Sequence, residues 1–347
     1  MKTFVAQRCP IEFFLSNFNR FTIKKDSLNL LNMKINHFYR SILLPALFFL
    51  ILAGDPIDAK SQQDPIYTQY LTNLLTIQPA YAGISGVLSV SALSRAQWIG
   101  WEGAPNTNTF TMHLPLKSFN VGLGLSIVND KWGPILQNGI YADYAYRILL
   151  KPRQYLALGI KVGFNTYHAR FTDLELNDPM DPSFAKNVDF KMLPNVGFGL
   201  LWHSDIFFLG FSIPKLFKNN IEDDSENKVY REVLHLYAMG GYVFTISDKV
   251  RIKPTFLYRW SEQTPSYIDL AGNILLYDRV WFGATYRLKN SYALSFQFIV
   301  NSQLRFGYSF DLTTFHDNMV NSGTHEFTIT YEFQNSKRNK RYTARYF

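Results

Sequence analysis

From Gly86 to Phe333 the chain reads as segments of about ten residues with apolar side chains at every second position, the period of a strand with two different faces. Leu156, Leu158, Ile160, Val162 and Phe164 alternate with Ala157, Gly159, Lys161, Gly163 and Asn165. Phe306, Tyr308 and Phe310 alternate with Arg305, Gly307, Ser309 and Asp311, and Phe327, Ile329, Tyr331 and Phe333 with Thr328, Thr330 and Glu332. A soluble sandwich also alternates, but with shorter strands and a richly charged outer face. Here the second face is mostly Gly, Ala, Ser and Thr with an occasional charge, as a crowded barrel lumen requires. About 9 to 11 residues of tilted strand cross a bilayer. The pattern predicts an all-β fold, a transmembrane antiparallel outer-membrane β-barrel of about 14 strands. They fall near 86–98, 106–115, 119–129, 137–148, 154–167, 190–203, 206–213, 231–246, 249–260, 265–276, 279–288, 291–300, 302–311 and 323–333.

The connections alternate in length. Those after even-numbered strands are short, around Lys117-Ser118, Lys151-Pro152-Arg153, Ser204-Asp205, Ser247-Asp248, Tyr277-Asp278 and Asn301. Those after odd-numbered strands include the long stretches 168–189, 214–230 and 312–322; Lys289-Asn290 is a short exception. Outer-membrane barrels have short periplasmic turns and longer outer loops, so both ends of the barrel are expected in the periplasm.

The leader adds a compartment. Met33 to Arg40 is basic, Ile42 to Ala53 is apolar, and Ala59-Lys60-Ser61 follows, the order of a secretory signal peptide cut near Gln62. The apolar run falls short of the ~20 residues of a transmembrane helix; an uncleaved anchor or buried helix is the alternative. Residues 1–32 read as an upstream extension or a mis-assigned start, with Met33 as the candidate first residue and Cys9 then absent from the mature chain. The remaining divisions are 62–85, a periplasmic or lumenal segment; 86–333, the barrel; and 334–347, a basic tail.

Composition and charge narrow the partners. The chain is 47% hydrophobic and 16% aromatic with only 18% charged residues, material that favours strands. The net charge of +8 suggests an anionic partner until it is located. Residues 1–61 hold eight Lys and Arg against four Asp and Glu, and the tail after Phe333 holds five basic residues and no acidic one. Of the 35 basic and 27 acidic residues, that leaves 22 and 23 between them. A nucleic-acid binder concentrates positive charge on its folded surface, so no nucleic-acid partner is expected. A single cysteine leaves no internal disulfide or Cys-rich metal site.

Candidate chemistry is sparse. Asp143, Arg147, Lys161, Arg251, Lys253, Arg259, Arg287, Arg305 and Glu332 fall on the polar face of their strands and are expected to face the lumen, lining a pore or closing into a salt-bridged plug. Asp173, Glu175, Asp178, Asp181 and Asp189 are oxygen ligands of the kind calcium uses, but they lack the spacing and glycine of an EF-hand. Asn177-Asp178-Pro179 and Asp181-Pro182 are sufficient as turns, and no metal or cofactor is expected. His113, His168, His203, His235, His316 and His325 are scattered without a nucleophile motif beside them, so no enzyme is expected.

Between leader and first strand lie Gln63-Asp64-Pro65-Ile66-Tyr67-Thr68-Gln69-Tyr70 and Gln78-Pro79-Ala80-Tyr81-Ala82-Gly83, followed by Arg95-Ala96-Gln97-Trp98-Ile99-Gly100 and Glu102-Gly103-Ala104-Pro105. Later come Asn129 to Pro134, Pro194 to Gly199 and Phe211 to Pro214. This succession resembles the PorP/SprF family of outer-membrane proteins associated with the type IX secretion system and gliding motility of Bacteroidota. Gln78 stands where the family usually has Asn, and the basic tail is a second departure. The resemblance implies a binding or adaptor protein in the cell outer membrane, embedded in its lipid. Its partners would be type IX secretion components and secreted surface proteins such as gliding adhesins, which it would help export or retain. A general porin or small-solute transporter is the alternative. Arg95, Gln97, Trp98 and Glu102 are a candidate partner-binding patch at the outer end of the first hairpin, with Gly103-Ala104-Pro105 as its turn; Trp98 and Trp101 equally suit interfacial anchors. Asp64, Pro65, Tyr67, Thr68, Gln69 and Tyr70, with Pro79, Ala80, Tyr81, Ala82 and Gly83, are expected to pack in the lumen or to contact periplasmic machinery.

Overall fold

The computed structural model describes residues 64–116, 120–174, 186–222, 228–262, 264–314 and 323–333. The predicted leader, the basic tail and the centres of the 168–189 and 312–322 loops lie outside the described residues. In chain order the strands are β1 (Leu88–Ala96), β2 (Asn106–Pro115), β3 (Val121–Trp132), β4 (Ile135–Lys151), β5 (Gln154–Ala169), β6 (Val188–Ser204), β7 (Phe207–Ile213), β8 (Asn220–Glu222), β9 (Lys228–Arg231), β10 (His235–Tyr242), β11 (Phe244–Ser247), β12 (Val250–Ser261), β13 (Tyr267–Leu276), β14 (Val280–Arg287), β15 (Ser291–Ile299), β16 (Leu304–Thr313) and β17 (Thr324–Phe333).

Each barrel strand pairs antiparallel with its neighbours in sequence, β17 returns to pair with β1, and β10 pairs with both β7 and β12. The sheet therefore closes, leaving no exposed edge for other chains to pair with. β11 continues β10 beyond Val243, whose N–H turns aside to Ile206 O at 2.7 Å, so the wall has 14 staves. It is a closed 14-stranded antiparallel β-barrel.

Alternation fixed which face goes where. On β5, Leu158, Ile160 and Val162 are exposed on the outer surface while Ala157 and Lys161 are buried. On β17, Phe327, Ile329 and Tyr331 point out while Glu326, Thr328 and Thr330 are buried. No helix among the described residues is long and apolar enough to cross a membrane; the outer face of the barrel is the apolar surface. Tyr146, Trp202, Tyr242 and Phe333 are exposed near the end with the short turns, where aromatic rings suit a bilayer interface.

Most boundaries shift by one to three residues, and two of the differences have a clear cause. β3 and β4 run on to a tight turn at Gly133-Pro134, because Lys131 and Trp132 keep pairing with Leu136 and Ile135. The predicted strand 231–246 starts only at His235: Lys228–Arg231 pair instead with Asn220–Glu222 as a separate hairpin, and Glu232 N–H donates to Asn219 O. The chain folds back on itself there before joining the wall.

Candidate functional site

The lumen is filled by residues 64–85, an inner segment built from two 3-10 turns, Tyr70–Thr76 and Pro79–Tyr81. Its Tyr67, Tyr70, Leu74, Leu75, Ile77, Ala80, Tyr81, Ala82 and Ile84 are buried against Leu93, Ala145, Ala157, Leu201, Phe208, Tyr237, Met239 and Leu257 of the wall. Among the described residues the inner segment and the wall thus form a packed core inside the barrel. Two cavities beside the segment, lined in part by Asn73, His113 and Lys253 and by Asp130, Tyr141 and Asn165, measure about 40 and 70 Å³, room for one or a few waters.

Five groups of polar contacts hold this segment in order along the chain, at Asp64, at Thr68 and Gln69, at Leu75, at Gln78 and at Gly83. The Asp64 carboxylate lies 2.8 Å from Lys215 Nζ and 3.6 Å from His235 Nδ1, and Arg259 donates to the Asp64 carbonyl at 3.3 Å. Burial alone would push the Asp64 carboxyl up, but the charges of Lys215, His235 and Arg259 outweigh it and hold it at about 2. Next, the backbone N–H groups of Thr68 and Gln69 donate to the two oxygens of Glu326 at 3.1 and 2.7 Å. Arg95 donates to the same Glu326 at 2.9 Å and to Asp311 at 3.0 Å, and the Thr68 hydroxyl donates to Asp311. Two buried carboxylates face one guanidinium, and the excess negative charge is met by N–H and O–H donors of the inner segment. Such charge-assisted bonds are stronger than neutral ones.

Deeper in, Lys161 Nζ bridges Asp143 at 2.8 Å and the Leu75 carbonyl at 3.1 Å. Gln78, fully buried, donates to the carbonyls of Leu200 and Phe211 at 3.2 Å and accepts from Ala80 N–H. At the far end Arg147 donates to Gly83 O at 2.9 Å, and Gly83 N–H donates to His113 Nδ1 at 3.2 Å. Gly83 has φ +73°, which favours glycine. A Cβ at Gly122 would collide with the Ala82 carbonyl and one at Gly159 with the Ala80 backbone. These glycines are seats for the inner segment.

Asp143, Arg147, Lys161 and Arg287 are buried on the lumen side. Arg287 forms a two-pronged pair with Asp269 at 2.8 and 2.7 Å; Arg251 pairs with Asp278, and Arg305 with Glu332. Asp64, Pro65, Tyr67, Thr68, Gln69 and Tyr70 lie together in the lumen with Pro79, Ala80, Tyr81, Ala82 and Gly83. Arg95 corrects one expectation: it does not share a surface patch with Gln97 and Trp98, because its inward parity on β1 commits its guanidinium to Glu326 and Asp311. Trp98 and Trp101 are exposed on the 97–105 loop, which closes through Gln97 N–H to Pro105 O and turns at Gly103, φ +73°, ahead of Ala104. Sequence reasoning missed Glu326, Asp269 and Lys215. Parity places Glu326 and Asp269 inward, but their partners depend on register and on a segment hundreds of residues away.

A family model described as "Type IX secretion system membrane protein PorP/SprF" matches residues 59–331. The chain belongs to the PorP/SprF family. This PorP/SprF protein is a type IX secretion membrane protein of the cell outer membrane. Among solved structures it is similar to Acinetobacter baumannii Omp33, with 10% identity, TM-score 0.43, and coverage of 71% of this chain and 98% of that one. A Pseudomonas aeruginosa FadL homologue has 11% identity, TM-score 0.40, and coverage of 74% and 94%. The Ralstonia pickettii toluene transporter TbuX has 7% identity, TM-score 0.44, and coverage of 80% and 97%. Comparison with curated proteins gives no match.

Proposed function

We propose that this PorP/SprF barrel is a binding adaptor that supports export of type IX secretion cargo, such as gliding adhesins, and holds it at the cell surface, without chemistry of its own. The observation that carries the reading is the filled lumen: residues 64–85 pack against the wall, and two of the cavities beside them measure about 40 and 70 Å³, which supports a plugged barrel over a solute path. Binding then falls to the loops, where a rigid barrel displays variable residues. The 168–189 and 214–230 segments are the proposed contact. They share a small apolar cluster in which Ile221 packs with Tyr167, Phe171, Val188 and Leu193.

Shortening both segments should release surface adhesin into the medium or block its export while the barrel stays heat-modifiable on gels. Adhesin that remains attached to such cells, together with a steadily open ion pore from the intact protein in planar bilayers, would establish the porin alternative.

A further inference from the structure

The inner segment has a direction. Asp64 meets Lys215, His235 and Arg259, which sit just after β7, where β10 begins and near the end of β12, at the end of the barrel with the long loops. Nineteen residues on, Gly83 meets Arg147 and Gly122, at the end with the short turns, and β1 starts there beside the last residue of β17, Leu88 opposite Phe333. The segment therefore runs the length of the lumen, and its amino end lies opposite the end where the sheet begins and closes. Short turns of outer-membrane barrels lie in the periplasm.

We infer that residues 64–85 are a through-lumen plug inserted with its amino end outermost, so that Asp64 and the loop residue Lys215 form one surface at the cell-exterior mouth. The two halves of the plug are held by different physics. The outer half is held by charge, through Asp64 to Lys215 and through Thr68 and Gln69 to Glu326. Among the described residues the inner half has no ion pair of its own and is held by shape and hydrogen bonds, with Ala80 and Ala82 pressed onto Gly159 and Gly122 and Arg147 donating to the Gly83 carbonyl. A partner that reaches the loop 214–222 from outside thus touches the charge-held end first. This inference rests on the membrane orientation and not on the adaptor reading, and it survives if the cargo proves different.

The test uses the full chain in intact cells, with Cys9→Ser removing the native thiol and single cysteines placed by Pro65→Cys or Ser85→Cys. A membrane-impermeant maleimide should label Pro65→Cys in intact cells and Ser85→Cys only after permeabilisation. The reverse pattern, or equal labelling of both in intact cells, overturns the inference. If neither cysteine labels, an epitope inserted between Gln63 and Asp64 decides: antibody binding to intact cells supports it, and binding only after permeabilisation overturns it. An epitope in the Ser247–Lys249 turn, expected to be hidden in intact cells, fixes the orientation of the barrel in the same strain.

Discussion

Arg95 and Glu326 are direct cross-strand partners on β1 and β17, joined at 2.9 Å with both side chains almost completely buried. This is the seam at which the sheet closes, and the plug's Thr68 and Gln69 N–H groups bind the same carboxylate. Barrel closure and plug seating therefore share one charged cluster.

Removing Arg95 leaves Glu326 and Asp311 buried side by side with no cation between them, the situation in which deleting one member of a buried ion pair costs about 3–5 kcal/mol. Arg95→Ala is expected to lower the unfolding free energy of the liposome-folded barrel by that order, read as a lower urea midpoint. Adding Glu326→Gln and Asp311→Asn to the same protein should restore part of the loss, because neutral side chains need no counter-charge. Equal midpoints for the single and triple variants would reject the cluster as the source.

The wall was legible in the sequence to a degree that the plug was not. Alternation depends on neighbours two apart, so Phe327, Ile329 and Tyr331 declare their face locally, as do Lys161 and Glu326 on the other side. Turn chemistry at Pro152-Arg153 and Tyr277-Asp278 adds the punctuation. The 231–246 segment began too early because Arg231 closes a short hairpin with Asn220 instead of joining the wall, a pairing that the local pattern does not encode. For the plug, the sequence shows only a polar, aromatic stretch without period. Its fit depends on Gly122 and Gly159 meeting Ala82 and Ala80 across the lumen, contacts between segments tens of residues apart that no local pattern encodes.

The outward register makes a sharp contrast on neighbouring strands. Phe306 is exposed on the outer face, and Gln297 lines an inner cavity. Phe306→Arg should cost about 2–4 kcal/mol if it lies near the bilayer midplane, measured by folding into liposomes, and Gln297→Arg much less. Gly307 is unsuitable as the lumen control, since a side chain there would strike Gln69 and Thr328. Equal costs at 306 and 297 would mean that the assigned faces are wrong.

Asp64 gives a pH signature. Its folded pKa of about 2 lies below the ~3.9 of an unfolded aspartate, so its contribution to stability is complete above about pH 4 and disappears as the pH falls through about 2. Asp64→Asn should therefore lower the unfolding midpoint by a constant amount from pH 7 down to about 4, with the difference from the unaltered protein closing towards pH 2. A difference that persists unchanged at pH 2 would show that the Asp64 charge is not what holds the outer end of the plug.

The glycine seats decide whether the plug closes the barrel. A side chain at Gly159 must occupy the space of the Ala80 backbone, and backbone cannot yield as a flexible side-chain tip does. The wall at that point is held by β4 and β6 on either side of β5, so the plug is the element free to move. Overpacking of this kind costs about 1–3 kcal/mol, which a 14-stave barrel can absorb without unfolding. Gly159→Leu is accordingly expected to remain heat-modifiable while its plug is expelled, and in planar bilayers it should conduct steadily where the unaltered protein does not. Gly272, on the outer face of β13, is the control away from the plug, because a Cβ there meets nothing within 4 Å, and Gly272→Leu should stay closed. Conductance in the unaltered protein equal to that of Gly159→Leu would remove the plug as a seal and with it the observation on which the adaptor reading rests.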